Sequence, residues 1–236
     1  MEEKVILLTG ASGGLGSELA KLLAKNNKLI LQYNSRQIDL PESDKVLHVK
    51  ADLTEPEQLS SIVSKGLERF GRIDVLINNA GVSESGVSWK TSAESWRRTM
   101  QVNLDAPFYL SQTVIPLMRA QKFGRIINIS SVVAVTGVVG TSAYAASKAG
   151  LLGLTKTLAK ELSGFGITAH AIALGYFDRG MISDVPENQL NELKEQVPLK
   201  RLGSPKEIFK TIEWLMTEEG GYMSGQTVHL NGGLYV

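Results

Sequence analysis

The stretch Thr9-Gly10-Ala11-Ser12-Gly13-Gly14-Leu15-Gly16 stands between a short apolar run, Val5 to Leu8, and a longer stretch, Leu15 to Lys25, whose Leu15, Leu19, Leu22 and Leu23 share one stripe. An apolar run of strand length, a glycine-rich bend and a stripe of helical period read in order as strand, turn and helix. Glycines permit the tight bend and let backbone approach a pyrophosphate, while the helix start offers N–H groups that its own turns leave without partners. The same pattern also serves as an ordinary strand-to-helix connection, and it lacks the Lys-Ser/Thr ending of a nucleoside triphosphate loop.

Outward from that turn the pattern repeats. Apolar, β-branched runs recur at Leu29-Tyr33, Val46-Val49, Ile73-Ile77, Arg125-Ile129, Ile167-Ile172 and Thr227-Leu230. Helix-like stretches lie between most of them; Pro56 to Phe70, for example, puts Leu59, Ile62, Val63 and Leu67 on one face. Strands alternating with amphipathic helices imply βαβ units, and right-handed crossovers then give a doubly wound α/β fold of the Rossmann kind, a mainly parallel seven-stranded sheet with helices on both faces. No fixed-period repeat or Pro/Gly/Ser linker divides the chain, so residues 1–236 are expected to form one dinucleotide-binding and catalytic domain. Leu174 to Pro198, where Gly175, Gly180, Pro186 and Pro198 bracket a polar helix at Asn188 to Gln196, is the longest irregular excursion. An excursion at a strand's carboxyl end in such a sheet is where a mobile substrate lid is expected.

Composition narrows the function. The 25 basic and 24 acidic residues leave a formal charge of +1, which supplies no field to attract nucleic acid or an anionic membrane. Cysteine is absent, which excludes a disulfide framework and a thiolate metal site or nucleophile. His48, His170 and His229 are scattered, so no metal is expected. The amino terminus lacks the basic and long apolar regions of a secretion signal, and the uncharged segment Ile126 to Ser147 carries too many polar residues for a membrane span. The expected location is the cytoplasm.

Tyr144 and Lys148 stand four positions apart, so on a helix they share a face. An ammonium beside a phenol favours phenolate, so the pair predicts a tyrosine pKa drawn down toward working pH, as a general acid/base needs. An isolated Tyr-x-x-x-Lys is equally the mark of an ordinary solvated helix.

Five features in one order remove that ambiguity. The glycine turn at Thr9 to Gly16, Asn78-Asn79-Ala80-Gly81 closing the fourth strand, Asn103 in the next helix, Ser131 after the fifth strand and Tyr144-Ala-Ala-Ser-Lys148 opening another helix together resemble the short-chain dehydrogenase/reductase family over residues 4 to 236. Within the family, Val197 to Gly203 and the ending Asn231-Gly232-Gly233-Leu234-Tyr235-Val236 look most like the 3-oxoacyl-(acyl-carrier-protein) reductases. The resemblance implies that Ser131 holds the substrate oxygen, Tyr144 donates a proton, Lys148 assists it and binds the cofactor ribose, and Asn103 holds a water in a relay behind the lysine. Of the adjacent serines, the family's spacing to the tyrosine favours Ser131 over Ser130.

For the cofactor the resemblance implies contacts from Gly10, Ser12, Gly13, Gly14, Leu15 and Gly16 at the pyrophosphate. It further implies Asp52 and Leu53 at the adenine, Asn79, Ala80 and Gly81 beside the ribose, and Gly175 with Phe177 at the nicotinamide. The second strand ends Gln32-Tyr33-Asn34-Ser35-Arg36, with no acid before Asp39. A carboxylate there would repel a 2′-phosphate, so Asn34 and Arg36 point to NADP(H), with NAD(H) possible. The chain departs from the family at Leu174, where proline is usual, and at Arg179, in place of a threonine that holds the carboxamide. The implied reaction is NADPH-dependent reduction of a 3-oxoacyl thioester. Its alternatives are an alcohol or sugar dehydrogenase of the same family and a cofactor-binding regulatory protein without turnover. The resemblance further implies a homotetramer, with Lys122 and Arg125 as basic residues on which an acyl carrier protein would dock beside the cleft.

Overall fold

In the computed structural model, which describes residues 2–180 and 185–236, one sheet takes every strand. The strands β1 (Val5–Leu8), β2 (Lys28–Tyr33), β3 (Val46–Lys50), β4 (Val75–Asn78), β5 (Gly124–Ser131), β6 (Ile167–Leu174) and β7 (Thr227–Leu230) lie in the order β3-β2-β1-β4-β5-β6-β7. Every neighbouring pair is parallel, so the sheet is wholly rather than mainly parallel. The order reverses between β1 and β4, and in such sheets the crevice for a ligand opens there, beyond the carboxyl ends of the strands.

The helices are α1 (Gly14–Leu23), α2 (Pro56–Phe70), α3 (Ala93–Met100), α4 (Ala106–Gln121), the single turn α5 (Val133–Thr136), α6 (Ser142–Leu162), α7 (Glu187–Gln196) and α8 (Pro205–Leu215). Their apolar stripes make two cores, one on each face. Leu59, Ile62 and Val63 of α2 join Leu110, Val114 and Met118 of α4 and Leu158 and Leu162 of α6 against Leu7, Leu76 and Ile126. On the other face Leu19 and Leu23 of α1 join Ile208, Ile212 and Leu215 of α8 against Ile6, Ile77, Ile127 and Ile172. The central strands are buried on both faces, which is why they read as continuous apolar runs rather than alternating ones.

The sequence places the elements closely and errs at their ends. The polar Ser130 and Ser131 still pair in the sheet, with Ala173 and Leu174, extending β5 and β6 beyond the expected runs, because parallel hydrogen bonding uses backbone whatever the side chain. Ile126 to Ser147 becomes most of β5, then α5 and the start of α6, and among the described residues no helix is long and apolar enough to cross a membrane. Past β6, Phe177 bridges to Gly203, and α7 buries none of its residues. Residues 181–184 of the expected lid lie outside the described residues.

Candidate active site

The carboxyl ends of β1, β4, β5 and β6 converge on a cleft of about 980 Å³. Its floor is the glycine turn. Gly10 has φ 66° and lies so close to Ala80 that a Cβ would stand 2.8 Å from the Ala80 Cα, and a Cβ on Gly16 would be driven into the Gly10 carbonyl. The turn is anchored from three sides. The buried Gln32 accepts from the Gly10 N–H at 2.8 Å and donates to the Ala51 carbonyl at 2.7 Å, joining the ends of β1, β2 and β3. Asn79 Nδ2 donates to the Thr9 carbonyl at 2.8 Å, while the Thr9 hydroxyl oxygen accepts from the N–H groups of Asn79 and Ala80, each at 3.0 Å.

This floor fits a dinucleotide. No side chain caps α1, so the amides of its first turn have no intrahelical partner and begin at the cleft. A Cβ on Gly13 would meet nothing nearer than the Gly10 oxygen at 3.4 Å, so the turn is open on its cleft side. Gly10, Ser12, Gly13, Gly14, Leu15 and Gly16 line the cleft, as do Asn34, Asp52, Leu53, Asn79, Ala80, Gly81, Gly175 and Phe177. Arg36 is exposed and is not among the lining residues; its charge falls on Asp39. Asp52 accepts from the Thr54 N–H at 2.9 Å, and this bond above all lowers its carboxyl below the usual range.

At the other end Ser131, the last residue of β5, and Tyr144, in the first turn of α6, both line the cleft wall, the serine near enough to favour the phenolate. The neighbouring Ser130 donates instead to the backbone carbonyl of Lys148 at 2.9 Å, so the two serines divide the work between the cleft and its support. Lys148, 2% exposed, donates to the Ile129 carbonyl at 2.7 Å, and its Nζ lies 5.7 Å from the Tyr144 ring centre. Asn103 lies in a π-helical turn, Gln101–Asp105, that joins α3 to α4 and swings its side chain inward. Its Oδ1 accepts from the Val82 N–H at 2.8 Å, and its Nδ2 donates to the Val82 carbonyl at 2.9 Å and to Ser147 Oγ at 3.1 Å. Ser147 in turn donates to the Tyr144 carbonyl at 2.8 Å. Asn103 is thus a fully buried bracket behind the site and does not line the cleft.

Two expectations are corrected here. Lys148 does not draw the phenol of Tyr144 downward: burial pushes Tyr144 up, and the nearby Ser131 hydroxyl opposes it only in part. The lysine itself is brought down to about 8, because its ammonium leaves water for the protein interior. Nor can Arg125 receive a carrier protein. It is buried, donating to the carbonyls of Gly124 at 2.9 Å and Gly166 at 3.2 Å. Lys122 is exposed, but it precedes β5, and the eight residues of that strand separate it from Ser131 by roughly 23 Å. Neither residue stands beside the cleft.

The departures after β6 have a structural setting. Leu174 is buried, and Gly175 lies so close to the terminal Asn231 that a Cβ would stand 2.7 Å from its Cα. The Asn-Gly-Gly ending therefore packs under the start of the loop that borders the cleft. Phe177 is buried with its ring against Gly203, leaving its backbone at the cleft, while the exposed Arg179 donates to the Asp178 carbonyl at 2.9 Å. Sequence reading missed Gln32, Thr9 and Ser147, which position the turn and the tyrosine. A glutamine inside an otherwise apolar strand was the one available signal. It missed Arg97 and Arg98 as well, which α3 brings to the cleft.

Among the described residues no cluster of metal-ligating side chains is found. Comparison with known proteins agrees with the geometry. The 3-oxoacyl-[acyl-carrier-protein] reductase FabG of Thermotoga maritima is 36% identical over all of this chain and 99% of its own length. The FabG of Escherichia coli is 34% identical over 100% of this chain and 98% of its own, and an acetoacetyl-CoA reductase of an Acinetobacter species is 37% identical over 100% and 99%. The short chain dehydrogenase profile matches residues 4–190, and the chain belongs to that family of oxidoreductases.

Proposed function

We propose that this chain catalyses the NADPH-dependent reduction of a 3-oxoacyl thioester, linked to coenzyme A or acyl carrier protein, to the 3-hydroxyacyl thioester. The observation that carries the proposal is that Ser131 and Tyr144 line the same cleft as an open glycine turn, with the Lys148 Nζ 5.7 Å from the tyrosine ring centre. The relatives named as FabG and as acetoacetyl-CoA reductase share the 3-oxoacyl thioester as the common element.

The residues divide the work. Gly13, Gly14 and Leu15 present the helix start to the pyrophosphate. Asp52 and Leu53 take the adenine, Asn34 borders the 2′-phosphate, and Asn79, Ala80 and Gly81 border the ribose. Lys148 holds the second ribose, and backbone at Gly175 and Phe177 holds the carboxamide. When bound, the reduced nicotinamide supplies the hydride that becomes the new C–H bond. Ser131 and Tyr144 hydrogen-bond the carbonyl oxygen, which stabilises the negative charge that develops there where water is excluded. A tyrosine held protonated by burial is suited to this direction, because the reduction consumes its proton. Lys148, brought down to about 8, is still mainly ammonium at neutral pH and can restore that proton. Asn103 acts as a positioning residue, through Val82, Ser147 and the water relay behind the lysine.

Val132, Val133 and Val138 make the wall beside Tyr144 apolar, which favours an acyl chain over a sugar. The segment 174–198 serves as the lid, its helix α7 carrying no buried residue to hold it down. We assign a homotetramer in the cytoplasm, with exposed Trp96 of α3 and Phe108 and Tyr109 of α4, together with the tail Tyr235-Val236, as the surfaces that subunits would cover. Light scattering on the purified chain measures this directly, and a monomer would overturn it.

The test of function is NADPH oxidation with acetoacetyl thioesters of coenzyme A and of acyl carrier protein. Turnover on either, abolished by Tyr144→Phe, is expected. Turnover on simple alcohols or sugars with none on thioesters would reassign the substrate, and dinucleotide binding without turnover on any carbonyl would leave a regulatory protein.

A further inference from the structure

We propose that Arg98, on α3, determines the preference for a 2′-phosphorylated cofactor, a role the β2 terminus does not fill by itself. The proposal rests on the dinucleotide reading above. Its starting point is the distribution of positive charge around the cleft. The cations that line it are Arg97, Arg98, Lys148 and Arg179. Lys148 is committed to the Ile129 carbonyl beside Tyr144, and Arg179 lies past β6 on the nicotinamide side, donating to Asp178. Arg36, the cation nearest in sequence to the end of β2, is not among the lining residues.

The helix pattern brings Arg98 to the adenosine end. Glu94, Arg97, Arg98 and Gln101 fall three or four positions apart on one face of α3 and its π-helical continuation, and all four line the cleft. Across from them lie Asn34, Asp52, Leu53 and Thr54. Arg98 is the cation whose charge helps hold the Asp52 carboxyl low, so it stands near that residue. Yet among the described residues no carboxylate lies within ion-pair distance of Arg98, and its side chain makes no hydrogen bond. The exposed Asn34 donates weakly to Asp52 at 3.4 Å, and no acid of β2 faces the space between them. A guanidinium that feels Asp52 at a distance but is ion-paired to no carboxylate is left to take a bound anion. A dianionic phosphate gains most from it, and a ribose hydroxyl in the same place gains little.

The test separates this proposal from the functional reading because it measures binding, not turnover. Fluorescence titrations would give the dissociation constants of NADPH and NADH for the wild-type chain, Arg98→Met, Arg98→Lys and Arg36→Met. Since Arg98 is exposed, its replacement is expected to leave the circular dichroism spectrum unchanged. The expected result for Arg98→Met is a loss of NADPH affinity of about 10-fold to 100-fold, the worth of one charge-assisted contact, with NADH affinity within about twofold of wild type. Arg98→Lys should recover part of the loss, and the salt dependence of NADPH binding should flatten in Arg98→Met. Equal weakening of both dinucleotides would mean that Arg98 covers the adenine rather than reading the phosphate. An unchanged ratio, with the shift appearing in Arg36→Met, would return the role to the β2 terminus. Either result overturns the proposal while leaving the reductase reading intact. A wild-type chain that binds neither dinucleotide would bring down both.

Discussion

Lys148 and His170 are both buried against the β5–β6 pair, and burial lowers the pKa of each, yet they end in opposite states. Lys148, near the carboxyl end, is brought from 10.5 to about 8; His170, toward the amino end, is brought from 6.5 to about 4 by burial and secondarily by the nearby Arg125. At neutral pH the first therefore remains mainly an ammonium, and the second is a neutral ring. Their surroundings differ as much as their charges. Lys148 donates to Ile129, and the groups behind it, Asn103, Ser147 and Ser130, are all hydrogen-bonded. Around His170 both ring nitrogens, Thr168 Oγ1 and Arg125 Nε find no hydrogen-bond partner among the described residues. The same desolvation thus leaves a stable ammonium where partners hold the charged form, and a cost to stability where they do not.

The strongest way to break this contrast is at the catalytic end. Tyr144→Phe removes one oxygen from the cleft wall and leaves Lys148 and its partners in place. The reduction rate should fall by about 10²-fold to 10⁴-fold, the range for a lost general acid, while thermal stability changes little. A variant that retained more than a tenth of wild-type activity would remove the tyrosine from the chemistry.

The second strongest is at the silent end. Because the folded pKa of His170 lies below its ordinary value, the folded state binds fewer protons than the unfolded chain between about 4 and 6.5. Its contribution to stability is therefore intact above that window and is lost as pH falls through it, by up to roughly 3 kcal/mol. Urea unfolding at neutral and at mildly acidic pH should show that loss in the wild-type chain and much less of it in His170→Leu, with activity unaffected. An identical pH dependence in both chains would mean that other groups carry the acid sensitivity.

A smaller effect concerns the charge on Lys148. Its ammonium form exists below its pKa, so kcat, which needs Lys148 to restore the tyrosine proton in every turnover, should be level below about pH 8 and fall as pH rises above it. Tyr144, raised by burial, stays protonated across the same range and does not mask the fall. A rate that stayed level well above that pH would show that the neutral amine serves equally well.

The two ends also differ in how far the sequence discloses them. The fold was legible because periodicity is local: the runs that became β1 to β7 and the stripe of α2 each carry their own signal. Ser131, Tyr144 and Lys148 were legible through their order and spacing, which a helix and a strand end convert directly into proximity. The direction of the tyrosine pKa was not, because the sequence gives the neighbouring charge but not the burial that outweighs it. Arg125 was misplaced for a related reason. Arginine is seldom buried, and only the tertiary structure supplies the carbonyls of Gly124 and Gly166 that take its N–H groups. Gln32 and Ser147 went unnoticed because their partners come from distant segments.

Ser147 gives the finest test, because it belongs to the satisfied end without touching the cleft. Its hydroxyl accepts from Asn103 and donates to the Tyr144 carbonyl, linking the π-helical turn to the first turn of α6. In Ser147→Ala, Asn103 keeps both of its bonds to Val82, so no buried amide is stranded, and the net cost to stability should be about 1 kcal/mol. If the link positions the phenol, kcat should fall by about fivefold, an equal energy drawn from the barrier, with KM unchanged because the substrate never meets Ser147. A variant with lower stability and wild-type kcat would show the bond to be structural alone, and the contrast between the two ends of β5 and β6 would then rest on Lys148 and its carbonyl.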